Sequence, residues 1–170
     1  HGGRGFDGLA LGGLAVGESP EEMYDTIEAC APSMPASRPR YLMGVGRPID
    51  LLEAIGRGVD MFDCVMPTRN ARTGQVFTST GKLNMRNARF GLEDAPIDAS
   101  CTCTTCTTYS RGYVSHLIRS KEALGIRLTT IHNVHYYLAL VRGARAAIVA
   151  GEFEAYKASA ISGWAAGENS

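Results

Sequence analysis

The sequence has 170 residues, 45% of them hydrophobic and 20% charged, the balance of a soluble globular protein large enough to bury a core. Its formal net charge is zero, so any nucleic-acid binding must come from local patches and not from a global field. No apolar run approaches a membrane span, and the opening His1-Gly2-Gly3-Arg4-Gly5 carries neither a signal-peptide pattern nor an initiator Met, which predicts a truncated or processed start.

The residues from Phe6 to Gly13 read as a buried strand that ends in a glycine turn. Ser19-Pro20-Glu21-Glu22 is a helix start, with Ser at the cap, Pro in the first turn and acids beside it. That helix is expected to reach Ala31 and stop near Pro32 and Pro35. Arg40 to Gly46 is a second strand with a glycine end. Pro48 to Arg57 is a short helix with Ile49, Leu52 and Ile55 on one face, and Val59 to Val65 is a third strand. Strand–helix–strand–helix–strand order implies parallel strands with crossover helices, hence an α/β sheet or barrel. Beyond Pro67 the pattern changes. Gln75–Thr78 and Leu83–Met85 suggest a small hairpin turning at Gly81. Helices are expected over Tyr109–Ala123, Ile131–Ala150 and Glu152–Trp164, with a frayed small-residue end.

Five cysteines are present. Cys30 and Cys64 stand alone in apolar settings. Cys101, Cys103 and Cys106 fall within six residues, too close for easy mutual disulfides, and His132 follows at the expected start of a helix. Three thiols and one imidazole are the ligand count and type of a closed, structural zinc site, with no open position for catalysis. This usage reads as metal binding in a reducing cytoplasm. His135, three residues on, is expected on a neighbouring face of the helix.

Asp63 shares its strand face with Val59, Met61 and Val65, at the C-terminal end. An acid there is either paired or used, because a buried carboxylate without a partner is costly. Asp60 faces the other way and reads as a structural or solvated acid. Arg69 and Arg72 follow Pro67 in a short stretch with Thr68, Asn70 and Ala71. Beside a strand-end acid such a loop can bind phosphate, or it can be a solvated loop. Gly44-Val45-Gly46-Arg47-Pro48 gives close backbone access with one cation, a weak phosphate motif by itself.

Taken together, these stretches strongly resemble tRNA-guanine transglycosylase, the queuine tRNA-ribosyltransferase family in its bacterial type. The matching runs are Gly12 to Glu18, Tyr41 to Gly46, Asp60 to Arg72, Asn84 to Phe90, and the Cys101/Cys103/Cys106/His132 set. The resemblance implies the C-terminal part of a (β/α)8 TIM barrel with an inserted zinc-binding subdomain. Residues 1–72 would supply the last three barrel strands and the active-site loops, 73–132 the hairpin and zinc subdomain, and 133–170 the C-terminal helices. It also implies exchange of the wobble guanine of certain tRNAs for a 7-deazaguanine. Asp63 would be the nucleophile that joins covalently to the ribose. Gly12, Gly13, Leu14, Glu18 and Met43 would bind the base: the Gly13 amide bonding its carbonyl, the Leu14 carbonyl accepting from an amino group, Glu18 fixing that peptide, and Met43 covering one ring face. Gly44, Val45, Gly46, Arg47, Pro48, Ile49 and Asp50, with Thr68, Arg69, Asn70, Ala71 and Arg72, resemble the RNA-contacting segments. Val16 stands where eukaryotic members carry a smaller residue, which implies preQ1 as the incoming base and not queuine. Tyr109, Tyr113 and His116 match a homodimer patch, or equally an ordinary packed face.

The family's second catalytic aspartate lies on earlier barrel strands, outside this sequence, so the fragment alone is expected to lack full activity and to carry an unpaired strand edge. A noncatalytic RNA-binding partner subunit of the same fold and a bare zinc interaction module are the alternatives. The intact motif around Asp63 argues against the first, and the strand-end motifs argue against the second.

Overall fold

The computed structural model describes residues 5–14 and 16–168. Ala15 of the Gly12–Glu18 run, the opening four residues and the last two of the small-residue end lie outside the described residues. The chain divides into two compact units, His1–Val65 and Met66–Ser170.

The first unit is built on a parallel sheet in the order β1 (Leu9–Leu11), β2 (Arg40–Leu42), β3 (Met61–Phe62). Helix α1 (Pro20–Cys30) joins the first pair and α2 (Pro48–Gly56) the second. The start of α1 is fixed locally: the Glu22 amide donates to Ser19 Oγ and the Ser19 amide donates to Glu22 Oε2, with Pro20 as the first helical residue. Leu42, at the centre of the sheet, is fully buried with Ile27 and Met23 of α1, Ala54 of α2, and Val45 and Val59. Here the strands are shorter than the sequence suggests. The third pairs only over Met61–Phe62, so Asp63 lies just past its end and not within it. Asp60 takes a structural place: its carboxylate accepts from the Arg40 amide at 2.8 Å, and its own amide donates to the Arg40 carbonyl.

The second unit opens with helix α3 (Met66–Arg72), followed by the antiparallel hairpin β4 (Gln75–Thr78) and β5 (Gly81–Asn84). The 68–72 stretch is therefore helical and not a loop. Pro67 sits in its first turn, where its missing N–H would have had no partner. A short turn α4 (Thr104–Thr108) and α5 (Arg111–Arg119) lead to α6 (Ala123–Ala150) and α7 (Phe153–Glu168). Ser110 caps α5, later than the expected start at Tyr109. Helix α6 begins eight residues before the expected Ile131, so His132 lies about two and a half turns inside it and not at its start. Gly125, Thr129 and Thr130 disfavour helix locally. Packing overrides them: the Thr129 hydroxyl bonds the Gly125 and Ala71 carbonyls, and the Leu128 carbonyl accepts from Thr105 Oγ1. The core of this unit gathers Val76, Met85, Phe90, Ile97, Val114 and Leu128. Among the described residues no helix is long and apolar enough to cross a membrane.

Candidate active site and metal centre

The C-terminal ends of the three parallel strands bring Gly12–Leu14, Met43–Gly46 and Asp63 to one edge of the first unit. The Met43 amide donates to the Leu11 carbonyl, which ties the second strand end to the first. Met43 is exposed, and Gly12 lies beside it: a Cβ at Gly12 would sit 3.2 Å from Met43 Sδ. Gly13 and Gly44 both have positive φ, +80° and +74°, which side-chain-bearing residues rarely adopt. Glu18 Oε2 accepts from the Val16 amide at 3.2 Å.

Asp63 is exposed and oriented. Its Oδ1 accepts the Tyr41 hydroxyl at 2.6 Å and the Gly44 amide at 2.8 Å. Both of these bonds fall on one oxygen. The Tyr41 hydroxyl first, then the Gly44 amide, hold the carboxyl below the usual carboxylate range. The group is thus ionised at neutral pH, exposed, and anchored through Oδ1. That is the state a carboxylate nucleophile requires. Tyr41 is a residue that sequence reasoning quoted in a motif without giving it a role. Its alternation with Met43, the residue just past β2, was the available signal; its partner was not.

The 44–50 segment is less open than its motif suggests. Val45, Gly46, Pro48 and Asp50 are buried, Ile49 is half-buried, and Gly44 and Arg47 are exposed. Gly46 has no room for a side chain, since a Cβ there would fall 1.6 Å from Cys64 Sγ. Arg47 makes a two-pronged pair with Asp50, both contacts 2.7 Å, and Tyr24 donates to the same carboxylate at 2.6 Å. These bonds fix the Arg47 guanidinium against α2 and hold its proton more tightly.

In the second unit, Ala71 is buried and its carbonyl is taken by Thr129, while Asn70 donates to Gln75 Oε1 at 2.6 Å. Thr68, Arg69 and Arg72 are the exposed side chains of α3. No described residue pairs with either guanidinium, so both are available to an anion.

Cys101, Cys103 and Cys106 come together with His132. Their Sγ atoms lie 3.6, 3.7 and 3.3 Å from His132 Nδ1, and the four ligand atoms all fall within 4.8 Å of one another. A tetrahedral site with metal–sulfur bonds of about 2.3 Å and metal–nitrogen bonds of about 2.0–2.1 Å has S···N edges of about 3.6 Å. The donor set fits a metal ion. The tautomer is fixed as well: His132 Nε2 lies 2.8 Å from the Phe77 carbonyl, which can only accept, so Nε2 carries the proton and Nδ1 offers its lone pair to the centre. The electrostatics agree. Burial opposes charge on His132, yet the hydrogen bonds that a protonated Nδ1 donates to the Cys101, Cys103 and Cys106 sulfurs outweigh it and raise the imidazole to about 12. Burial likewise opposes a Cys103 thiolate, and the bond to His132 brings the thiol down to about 6. Burial pushes the Cys101 thiol up, so the thiolate character lies at Cys103 and is balanced by a proton on His132, which a bound dication would replace.

Asn133, missed in the sequence, supports this arrangement. Fully buried, it accepts from the Phe77 amide at 3.1 Å and donates to the Pro67 and Gln75 carbonyls at 2.9 and 3.0 Å. It thereby holds the strand whose carbonyl orients His132. His135 lies outside the ligand set, with Nε2 3.4 Å from Thr102 Oγ1. Tyr109 and Tyr113 stack at 5.5 Å, with Tyr113 and His116 exposed.

The family model described as queuine tRNA-ribosyltransferase matches residues 2–166. Three similar proteins carry that same name. The protein of Nitratidesulfovibrio vulgaris is 58% identical over 154 residues, 91% of this chain and 41% of the relative. The protein of Acidithiobacillus ferrooxidans is 59% identical over 151 residues, 89% of this chain and 41% of its own length. The protein of Helicobacter pylori is 56% identical over 153 residues, 90% and 41% of the two chains. The chain thus spans about 40% of the length of the curated relatives it matches. With the family model covering nearly every residue, the chain belongs to the queuine tRNA-ribosyltransferase family.

Proposed function

We propose that this chain is the C-terminal part of an enzyme that exchanges guanine at the tRNA wobble position for preQ1, with Asp63 as nucleophile. The observation that carries the reading is the Asp63 carboxylate, ionised, exposed and anchored through Oδ1 by Tyr41 and Gly44. Oδ2 attacks the ribose anomeric carbon, and the carbon–nitrogen bond to guanine breaks with its electron pair leaving on the base. The incoming base then displaces the carboxylate from the same carbon, which gives overall retention and ping-pong kinetics. Gly12, Gly13, Leu14 and Met43 lie on neighbouring strand ends and would hold the base, the Gly13 amide facing the carbonyl that gains charge. Glu18 would keep that turn in place, and Val16 would leave room for the aminomethyl group of preQ1 but not for a bulkier substituent. Arg69, Arg72 and Thr68, with Gly44 and Arg47, would meet the RNA backbone.

The fold in this reading is the end of a (β/α)8 barrel: three last strands and active-site loops in 1–72, the hairpin and metal subdomain in 73–132, and the C-terminal helices in 133–170, with α6 continuous across the last boundary. One structural zinc sits at Cys101, Cys103, Cys106 and His132, since thiolate and imidazole donors in a closed four-ligand set suit that ion. Zinc there holds the loop against α6 and takes no part in the exchange. The work place is the cytoplasm, and Tyr109, Tyr113 and His116 form a homodimer contact.

The test restores the family's N-terminal portion and measures labelled guanine incorporation into tRNA. Asp63→Asn should abolish exchange and the covalent adduct; undiminished exchange refutes the assignment. Zinc content of one per chain, lost on Cys103→Ser, is expected of the metal centre, and unchanged content refutes it.

A further inference from the structure

A cavity of about 460 Å³ opens in the second unit between the metal loop, α6 and α7. Of the four metal-site residues only Cys101 lies on its wall. Cys103 and His132 are 3% and 0% exposed, and Cys106 packs against the apolar cluster of the hairpin and α5. The centre therefore meets this cavity through one ligand. The wall beside Cys101 is suited to a cation. It carries the His135 imidazole and the Thr102 hydroxyl, together with the Asp98 carboxylate that Ser79 and Ser100 already hold, and no Lys or Arg among its described residues. His135 Nε2 reaches Thr102 Oγ1, the residue directly after Cys101, and lies three residues after His132 on the same flank of α6.

A hydrated divalent ion cannot cross the apolar side of this subdomain without losing its water uncompensated. A cavity with polar donors along its Cys101 wall lets it trade water for protein donors step by step. We propose that this cavity is the route by which the metal ion enters and leaves the Cys101–His132 centre, with His135 as the transient ligand that passes it to Cys101. Imidazole is a good ligand for the borderline metals that thiolates also hold. As the bonds to the three sulfurs and to His132 form, the protons still held by the thiols and by His132 Nδ1 leave to solvent and the ion gives up one water per bond; no oxidation state changes. The inference rests on the metal reading of the centre.

A route changes the rates of entry and exit together and leaves the equilibrium alone. Release from the zinc-loaded chain to a chromogenic chelator is measured alongside zinc affinity by equilibrium competition. His135→Ala should slow release roughly tenfold, about 1.4 kcal/mol of barrier, with affinity unchanged. Ala160→Trp, which fills the cavity from α7, should do the same without touching the metal loop. Ala155→Trp, exposed on the same helix outside this cavity, should release at the parental rate. Parental rates in both His135→Ala and Ala160→Trp overturn the route. So does a fall in affinity of about 10–100-fold with faster release, the mark of a residue that merely supports the ligands. A parent chain that binds no zinc at Cys101–His132 removes the metal reading itself, a result distinct from both.

Discussion

Asn133→Ala gives the sharpest test of how the metal subdomain is held. The side chain is fully buried and makes three bonds, one from the Phe77 amide and two to the Pro67 and Gln75 carbonyls. Each bond contributes about 0.5–1.5 kcal/mol net, and a buried donor left without a partner costs about 1–3 kcal/mol. Carbonyls tolerate the loss better than the Phe77 N–H. The sum is a destabilisation of about 3–5 kcal/mol, in the upper tail for single substitutions. The assay is urea unfolding of the zinc-loaded chain followed by circular dichroism, with the change read from the midpoint at constant slope. Because the Phe77 carbonyl orients His132, zinc affinity should fall as well, by about tenfold. A stability loss below about 1 kcal/mol with zinc affinity intact would refute the network as the support of the site.

Other outcomes follow from the same geometry. Asp98 is buried, and although burial opposes its charge, bonds from Ser79 and Ser100 hold its carboxyl below the usual range. Its stabilisation is present above the ordinary carboxylate pKa of about 3.9 and is lost as pH falls through the depressed folded value. Asp98→Asn should therefore cost about 1.5–3 kcal/mol at neutral pH and nothing at the acid end, as read from unfolding across pH; equal cost at all pH values contradicts this. Tyr41→Phe removes the largest of the bonds that depress Asp63. The acid limb of kcat/KM for base exchange in the restored full-length protein should move to higher pH, and an unmoved limb would show that the hydroxyl does not set the nucleophile's ionisation. Arg69→Gln and Arg72→Gln together should weaken tRNA binding and reduce the salt slope by about 2. An unchanged slope would place the phosphate contacts elsewhere.

Much of the chemistry was legible because it is local. Cys101, Cys103 and Cys106 are brought together by a six-residue run, and Ser19, Pro20 and Glu22 fix a helix start through neighbours three residues apart. The alternation of strands and helices up to Asp63 needs only the period of the apolar residues. The length of α6 was not legible, since Gly125 and Thr129 weaken the local helical signal and their carbonyl partners come from packing.

By itself the sequence determined which donors surround the metal centre, where the first helix begins and that the first three strands run parallel. Each of these depends on residues adjacent in the chain or on connection length. Tertiary structure alone decided that Tyr41 reaches Asp63 across 22 positions, that Arg47 is held by Asp50 and Tyr24, and that Asn133 reaches Phe77 across 56 positions and Pro67 across 66. Those partners are set by strand register and helix packing. A hydrogen bond forms between whatever groups the fold brings within about 3 Å, and sequence separation carries no information about that distance.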